Sequence, residues 1–202
     1  PIELPEECHS LEISDSIIDA PLAQGADVPA RAAIAGDASG SAPGPVTTLE
    51  RVTVFGAVHV KELSLASEAI FTHSLVADRR QVGCVRFSSI AAGSSTPRRF
   101  RCQPELAVET RKKQLDPTPL SLAEQTQIEL HVRPQFTSIR YGNPAYAQLS
   151  VPCAEEIKTG AENGSEMGAF QMLQQPHRLA NLRIALEEYL RFGLEAGVFL
   201  VT

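Results

Sequence analysis

Three phenylalanines, Phe55, Phe71 and Phe87, lie sixteen residues apart, each inside a β-forming segment: VTVFGAV from Val52, EAIFTHS from Glu68 and CVRFSSI from Cys84. Leu49 and Leu65 keep the same step, as do Val60 and Val76. A fixed step carried by β-formers that alternate with polar residues is a strong constraint. Each unit cannot bury its apolar face alone and must stack on its neighbours. The expected fold is mainly β: a short single-stranded β-solenoid (β-helix) over residues 1–152, with a C-terminal amphipathic capping helix in residues 153–202. The three rings should share one apolar column, each worth ~1.5–3 kcal/mol on burial. An antiparallel meander with coincidental spacing is the competing arrangement, and the handedness of the coils stays open.

Along the chain, Leu11, Ile13, Ile17 and Ile18 predict an early strand with Asp15 and Asp19 at its corners. Residues 23–45, rich in Ala, Gly, Pro and Ser, read as an irregular insertion. In VTVFGAVHVKEL, Val52, Val54, Val58 and Val60 alternate with Thr53, His59 and Lys61, a period of two, and Gly56 and Gly83 supply bends. Residues 105–127 are polar and interrupted by proline, which predicts a surface excursion. Ile128, Leu130 and Val132 alternate like a strand, and Gly142-Asn143-Pro144 marks a turn. After Pro176, Leu179, Leu182, Leu186, Tyr189 and Leu190 recur at helical spacing, with Gly193 as a stop and an apolar, strand-like tail beyond it. That helix is expected to cap the open end of the stack.

Composition narrows the function. A chain of 202 residues with 43% hydrophobic content suits one domain or two small ones. A net charge of -6 argues against nonspecific nucleic-acid binding, which needs a basic face. No run approaches the ~20 apolar residues that cross a bilayer. The first residue is Pro1, not Met, which suggests a processed chain or a piece of a longer one. Cys8, Cys84, Cys102 and Cys153 are far apart without a CxxC pair. Buried free thiols are the favoured reading, ahead of a Cys84–Cys102 disulfide or a metal site, and they favour a reducing compartment.

Candidate chemistry is sparse, and no cofactor is expected. Arg98, Arg99 and Arg101, with Arg79, Arg80 and Arg86 near in sequence, form the only basic concentration. They are candidates for an anionic-partner site, since arginine grips carboxylates or phosphates with paired bonds; the bland alternative is a solvated strand face. His59 and His73 sit at outward strand positions and could make half a metal site, though isolated surface histidines are commoner. Glu68 with Asp78, or Glu50 with Glu62, are the available carboxylate pairs for sugar chemistry. No GxSxG elbow or phosphate loop is present. Gly164–Phe170 (GSEMGAF) is read as a helix start capped by Ser165, with glycines where backbones approach closely.

The segments GCVRFSSIAAGSSTPRRFRCQPELA, FTSIRYGNPAYAQLSVPCAEEI and GSEMGAFQMLQQPHRLANLRIALEEYLRFGLEAGVF carry a resemblance. Over Thr48–Thr202 the chain is similar to uncharacterised bacterial proteins encoded near phage-tail-like contractile injection particles, notably in cyanobacteria and other environmental bacteria. The resemblance implies a non-enzymatic structural or adaptor component, attached to the baseplate, tail or anchoring apparatus. Its partners are then other protein subunits of a large particle, or further copies of itself. Its location is the cytoplasm or an assembled extracellular particle. The alternative is a carbohydrate-binding or carbohydrate-cleaving β-helix protein, against which the 5% aromatic content and absence of tryptophan count.

Overall fold

A computed structural model describes residues 2–3, 8–20, 32–37, 39–115 and 119–198. The described strands are β1 (Ile2–Glu3), β2 (Ser10–Asp19), β3 (Ala32–Ala35), β4 (Gly44–Phe55), β5 (Ala57–Ser67), β6 (Ile70–Phe71), β7 (Leu75–Arg79), β8 (Cys84–Arg86) and β9 (Arg98–Phe100). They join in one nine-stranded sheet, and every named pairing is parallel. Among the described residues four α-helices accompany it: α1 (Glu105–Leu115), α2 (Leu122–His131), α3 (Glu155–Lys158) and α4 (Gln175–Tyr189). The expectation of a mainly β solenoid with a helical cap is therefore corrected. The chain forms a parallel sheet with helices, roughly α/β, and not a closed solenoid.

Two local facts explain the difference. The step between paired residues is not constant: Val46 pairs with Glu62, Glu62 with Arg79, and Ile70 with Ser89. A bulge between Thr47 and Thr48 moves the partner from Leu63 to Leu65, so Leu49 faces Ala66 and not Leu65. Phe71 accordingly pairs with Val54, and Val60 with Ala77. The three phenylalanines do not share a column. Phe71 is in the core, Phe55 lies 4.9 Å from Phe136, and Phe87 lies 5.7 Å from Phe100.

The second fact is that residues 105–115 and 122–131 are helical. Ser121 and Glu124 form a capping box, each side chain accepting from the other residue's backbone N–H, and this starts α2. Ile128 and Leu130 then lie on that helix, where alternation over three positions had suggested a strand. The terminal helix α4 exists as expected, but it buries none of its residues and caps nothing among the described residues. Part of the 23–45 insertion is also ordered sheet: Ala33 and Ile34 of β3 are fully buried, and β3 pairs with β1 and β5. Residues 23–31 and 38 of that insertion lie outside the described residues, as does the end of the C-terminal tail at 199–202. Residues 194–198 are not strand.

The core follows the alternation. Leu49, Val52, Val54, Val60, Leu63 and Leu75 are wholly buried and pack together with Phe71 and Val85. A strand buried on one face and stacked in parallel on both sides gains from each such residue on the order of 1.5–3 kcal/mol. No helix among the described residues is long and apolar enough to cross a membrane.

Candidate interaction surface

Five non-glycine residues with left-handed backbone occupy one register position. Asp15 (φ 48), Arg51 (φ 52), Glu68 (φ 55), Phe87 (φ 47) and Arg101 (φ 50) each follow a residue of a continuous ladder: Ser14 pairs with Glu50, Glu50 with Ser67, Ser67 with Arg86, and Arg86 with Phe100. The stack bends at this column. A left-handed L-residue costs on the order of 1–2 kcal/mol, so something must offset five of them. The side chains do. Arg51 donates from Nε to Asp15 Oδ1 at 2.6 Å and from a second nitrogen to Asp15 Oδ2 at 3.0 Å. This paired bond holds the Asp15 carboxyl below its ordinary range and raises Arg51. Glu68 Oε1 accepts from the backbone of Glu162 at 3.0 Å. At the far end the Arg101 guanidinium lies 5.9 Å from the centre of the Phe87 ring.

The predicted arginine site divides at β9. Its burial pattern places Arg99 inward and leaves Arg98 and Phe100 outward. Arg99 is consumed internally: Nε donates to Thr96 Oγ1 at 2.8 Å, Nη2 to the Ser94 carbonyl at 2.9 Å, and Nη1 to Glu105. Arg98 and Arg101 are exposed and make no ion pair among the described residues. Phe100, between them, is 54% exposed. Arg86 is tied to Ser67 at 3.1 Å and to Glu162 at 3.4 Å, and Arg79 to Glu62. Two of the three predicted residues therefore face outward, and the third is engaged behind them.

A strap, residues 153–171, crosses the bend. Ile157 and Met167 bury against Ile70 together with Cys153 and Ala154. Gly168 donates to the Glu68 carbonyl at 2.7 Å and Ala169 to Thr53 Oγ1 at 3.0 Å. At Gly168 (φ 91) a side-chain carbon would fall 2.5 Å from Thr53 Oγ1, so the close approach read from GSEMGAF is real. The helix start is not. Ser165 is buried and donates to Asn163 Oδ1 at 2.6 Å, and no helix begins there. Glu166 is buried beside it, and desolvation pushes its carboxyl up to about 7.

The remaining candidates disperse. His59 contacts Asp78 at 3.1 Å and the Gly40 carbonyl at 3.0 Å, while His73 bonds Thr72 and is lowered by burial and by Arg133. His59 pairs in register with Val76, so the two histidines do not meet as a metal half-site. No group of three metal-binding side chains occurs among the described residues. Glu62 pairs with Arg79 and Glu50 with Arg51; Glu68 serves the strap and Asp78 the histidine, so neither carboxylate pair converges. All four cysteines are free thiols; burial raises Cys102 to about 11, unsuited to nucleophilic work.

On another side, Phe55 packs edge-on against Phe136 and at a tilt against Tyr146, and Tyr146 donates to Asp19 Oδ2 at 2.7 Å, anchoring residues 136–149 to β2. Tyr146→Phe is expected to cost about 1–2 kcal/mol in urea unfolding, the worth of a bond to a charged acceptor. A change below about 0.3 kcal/mol would mean that the ring alone does the anchoring.

No family model matches the chain, and neither the curated proteins nor the solved structures contain a match.

Proposed function

We propose that this chain is a non-enzymatic structural or adaptor module that works through protein–protein contacts, as a component of a phage-tail-like contractile injection particle. The observation that carries the contact reading is α4. Over fifteen residues it buries none, and Ile184, Tyr189 and, just beyond it, Phe192 are largely exposed. A single helix of this length is marginal in water without packing. A fifteen-residue helix with exposed leucine, isoleucine and tyrosine is stabilised by covering that surface, which favours docking on another subunit. The particle setting rests on the resemblance of Thr48–Thr202. The carbohydrate reading draws nothing from the carboxylates, each of which is engaged singly elsewhere.

The test is recovery of the tagged chain from its own cells, with co-purifying proteins identified. Wild type is expected to bring down sheath, tube or baseplate subunits, and Ile184→Glu with Tyr189→Ser to lose at least about tenfold of them with an unchanged unfolding midpoint, since both side chains are exposed. Recovery of the wild-type chain alone, together with binding to an acidic polysaccharide, would overturn the proposal.

A further inference from the structure

We propose that the free edge of β9 receives an extended acidic segment of a partner protein, added as one more parallel strand, with carboxylates paired to Arg98 and Arg101. The inference rests on the contact reading above but concerns a different surface from α4.

Strand β9 is the last of its ladder: among the described residues it pairs with β8 alone, so its other edge presents unpaired backbone N–H and C=O groups there. An extended segment bonds to such an edge through its own backbone, and alternate side chains then set specificity. The register of β8 and β9 fixes what those side chains meet. Arg98 and Phe100 stand on the outward face, Arg99 points inward and is already satisfied, and Arg101 stands at the bend.

The bend column supplies the charge argument. Asp15, Arg51, Glu68, Phe87 and Arg101 run acid, base, acid, aromatic, base. Every interior charged member has an opposite charge or a backbone donor from its surroundings. Arg101 has the Phe87 ring on one side and makes no ion pair among the described residues. A carboxylate at the next level continues the alternation. Phe100, 54% exposed between the two arginines, wants an apolar neighbour. The complementary segment thus reads acid, any residue, apolar, acid. In a chain of net charge -6, this local surplus of two uncompensated arginines selects such a partner against basic ones.

The probe is a fluorescein-labelled eight-residue peptide that repeats glutamate, serine, valine, glutamate twice, followed by anisotropy. The same peptide N-methylated at alternate residues, its counterpart with lysine in place of every glutamate and a short oligogalacturonate are compared with it. The acidic peptide is expected to bind wild type, and Arg98→Glu with Arg101→Glu to weaken it at least about tenfold; the milder Arg98→Gln with Arg101→Gln follows in the same direction. Both side chains are exposed, so circular dichroism should be unchanged and the urea midpoint should fall only by the small worth of the exposed Arg101–Phe87 contact. N-methylation is expected to abolish binding, because it removes the donors a new strand needs. Failure of wild type to bind the acidic peptide overturns the proposal, as does indifference to the arginine changes, to N-methylation or to the sign of the peptide's charge. Equal binding of oligogalacturonate through the same arginines also overturns it, since the site is then a simple anion site. Particle capture through α4 is scored separately: if it persists while the peptide fails, only the β9 proposal falls.

Discussion

Gly83→Ala is expected to be among the most damaging single substitutions in the sheet, costing on the order of 4 kcal/mol. Gly83 (φ 90) ends the turn between β7 and β8, and a carbon added there would lie 1.8 Å from the Leu63 carbonyl oxygen and 2.9 Å from its carbon. Neither obstacle can swing aside. Both belong to the backbone of β5, which is held by β4 on one side and by β7 and β8 on the other. The alternative is to move Cys84–Arg86, and with it Val85 of the core and the β9 pairing. Gly93→Ala is the matched control. Its φ of 78 is equally left-handed, yet nothing lies within 4 Å of the added carbon. That change should cost only about 1 kcal/mol, the conformational penalty alone. Urea midpoints of the two variants decide the matter. Equal losses would show that backbone conformation, and not the approach of β5, governs the turn.

Much of the sheet was legible because burial on one face writes itself as alternation. Val52, Val54, Val58 and Val60 point inward as their spacing implied, and Asp15, Gly56 and Gly83 mark bends. Register was not legible. One extra residue on β5, Ser64 opposite Thr47–Thr48, shifts the later partners of β4, and nothing in the side chains there announces a bulge. This is why three evenly spaced phenylalanines mimicked a column that the fold does not contain. In α2, Ile128, Leu130 and Val132 suit a short strand and a helix end alike; the useful signal was Ser121 three residues before Glu124, a capping box inside a stretch taken for loop. For α4 the helical spacing was readable, but spacing says which face is apolar and not what covers it. The arginine cluster was visible as composition, whereas its division into Arg99 inside and Arg98 and Arg101 outside depends on the strand's phase. The strap was the hardest. It buries Ser165, Glu166 and Gln171, polar residues whose pattern argues for solvent.

Glu166 gives the strap a measurable pH response. Its carboxyl has no hydrogen-bond or ionic partner among the described residues, and burial alone lifts it from 4.5 to about 7. Below about pH 4.5 the folded and unfolded chains both hold the proton. Between 4.5 and about 7 the folded chain holds it and the unfolded chain does not, so stability falls as pH rises through this window. Above about 7 the loss is complete. Each tenfold change in proton affinity is about 1.4 kcal/mol, which caps the loss at about 3 kcal/mol; residual water at the carboxyl makes about 2 kcal/mol the expected value. Glu166→Gln cannot ionise and should match wild type near pH 4.5, then exceed it by that amount at pH 8. The difference between the two proteins isolates this carboxyl from every other titrating group. Hydrogen exchange locates the effect: the Gly168 amide, bonded to the Glu68 carbonyl, should open more readily at pH 8 than at pH 6 after correction for the intrinsic rate, in wild type only. Two stability curves that run parallel from pH 4.5 to 8 would mean that Glu166 reaches water in the folded chain. The strap would then be held by Ile157, Met167 and the Gly168 contact with no electrostatic cost, and the orientation of α4, which leaves the strap at Gln175, would not depend on pH.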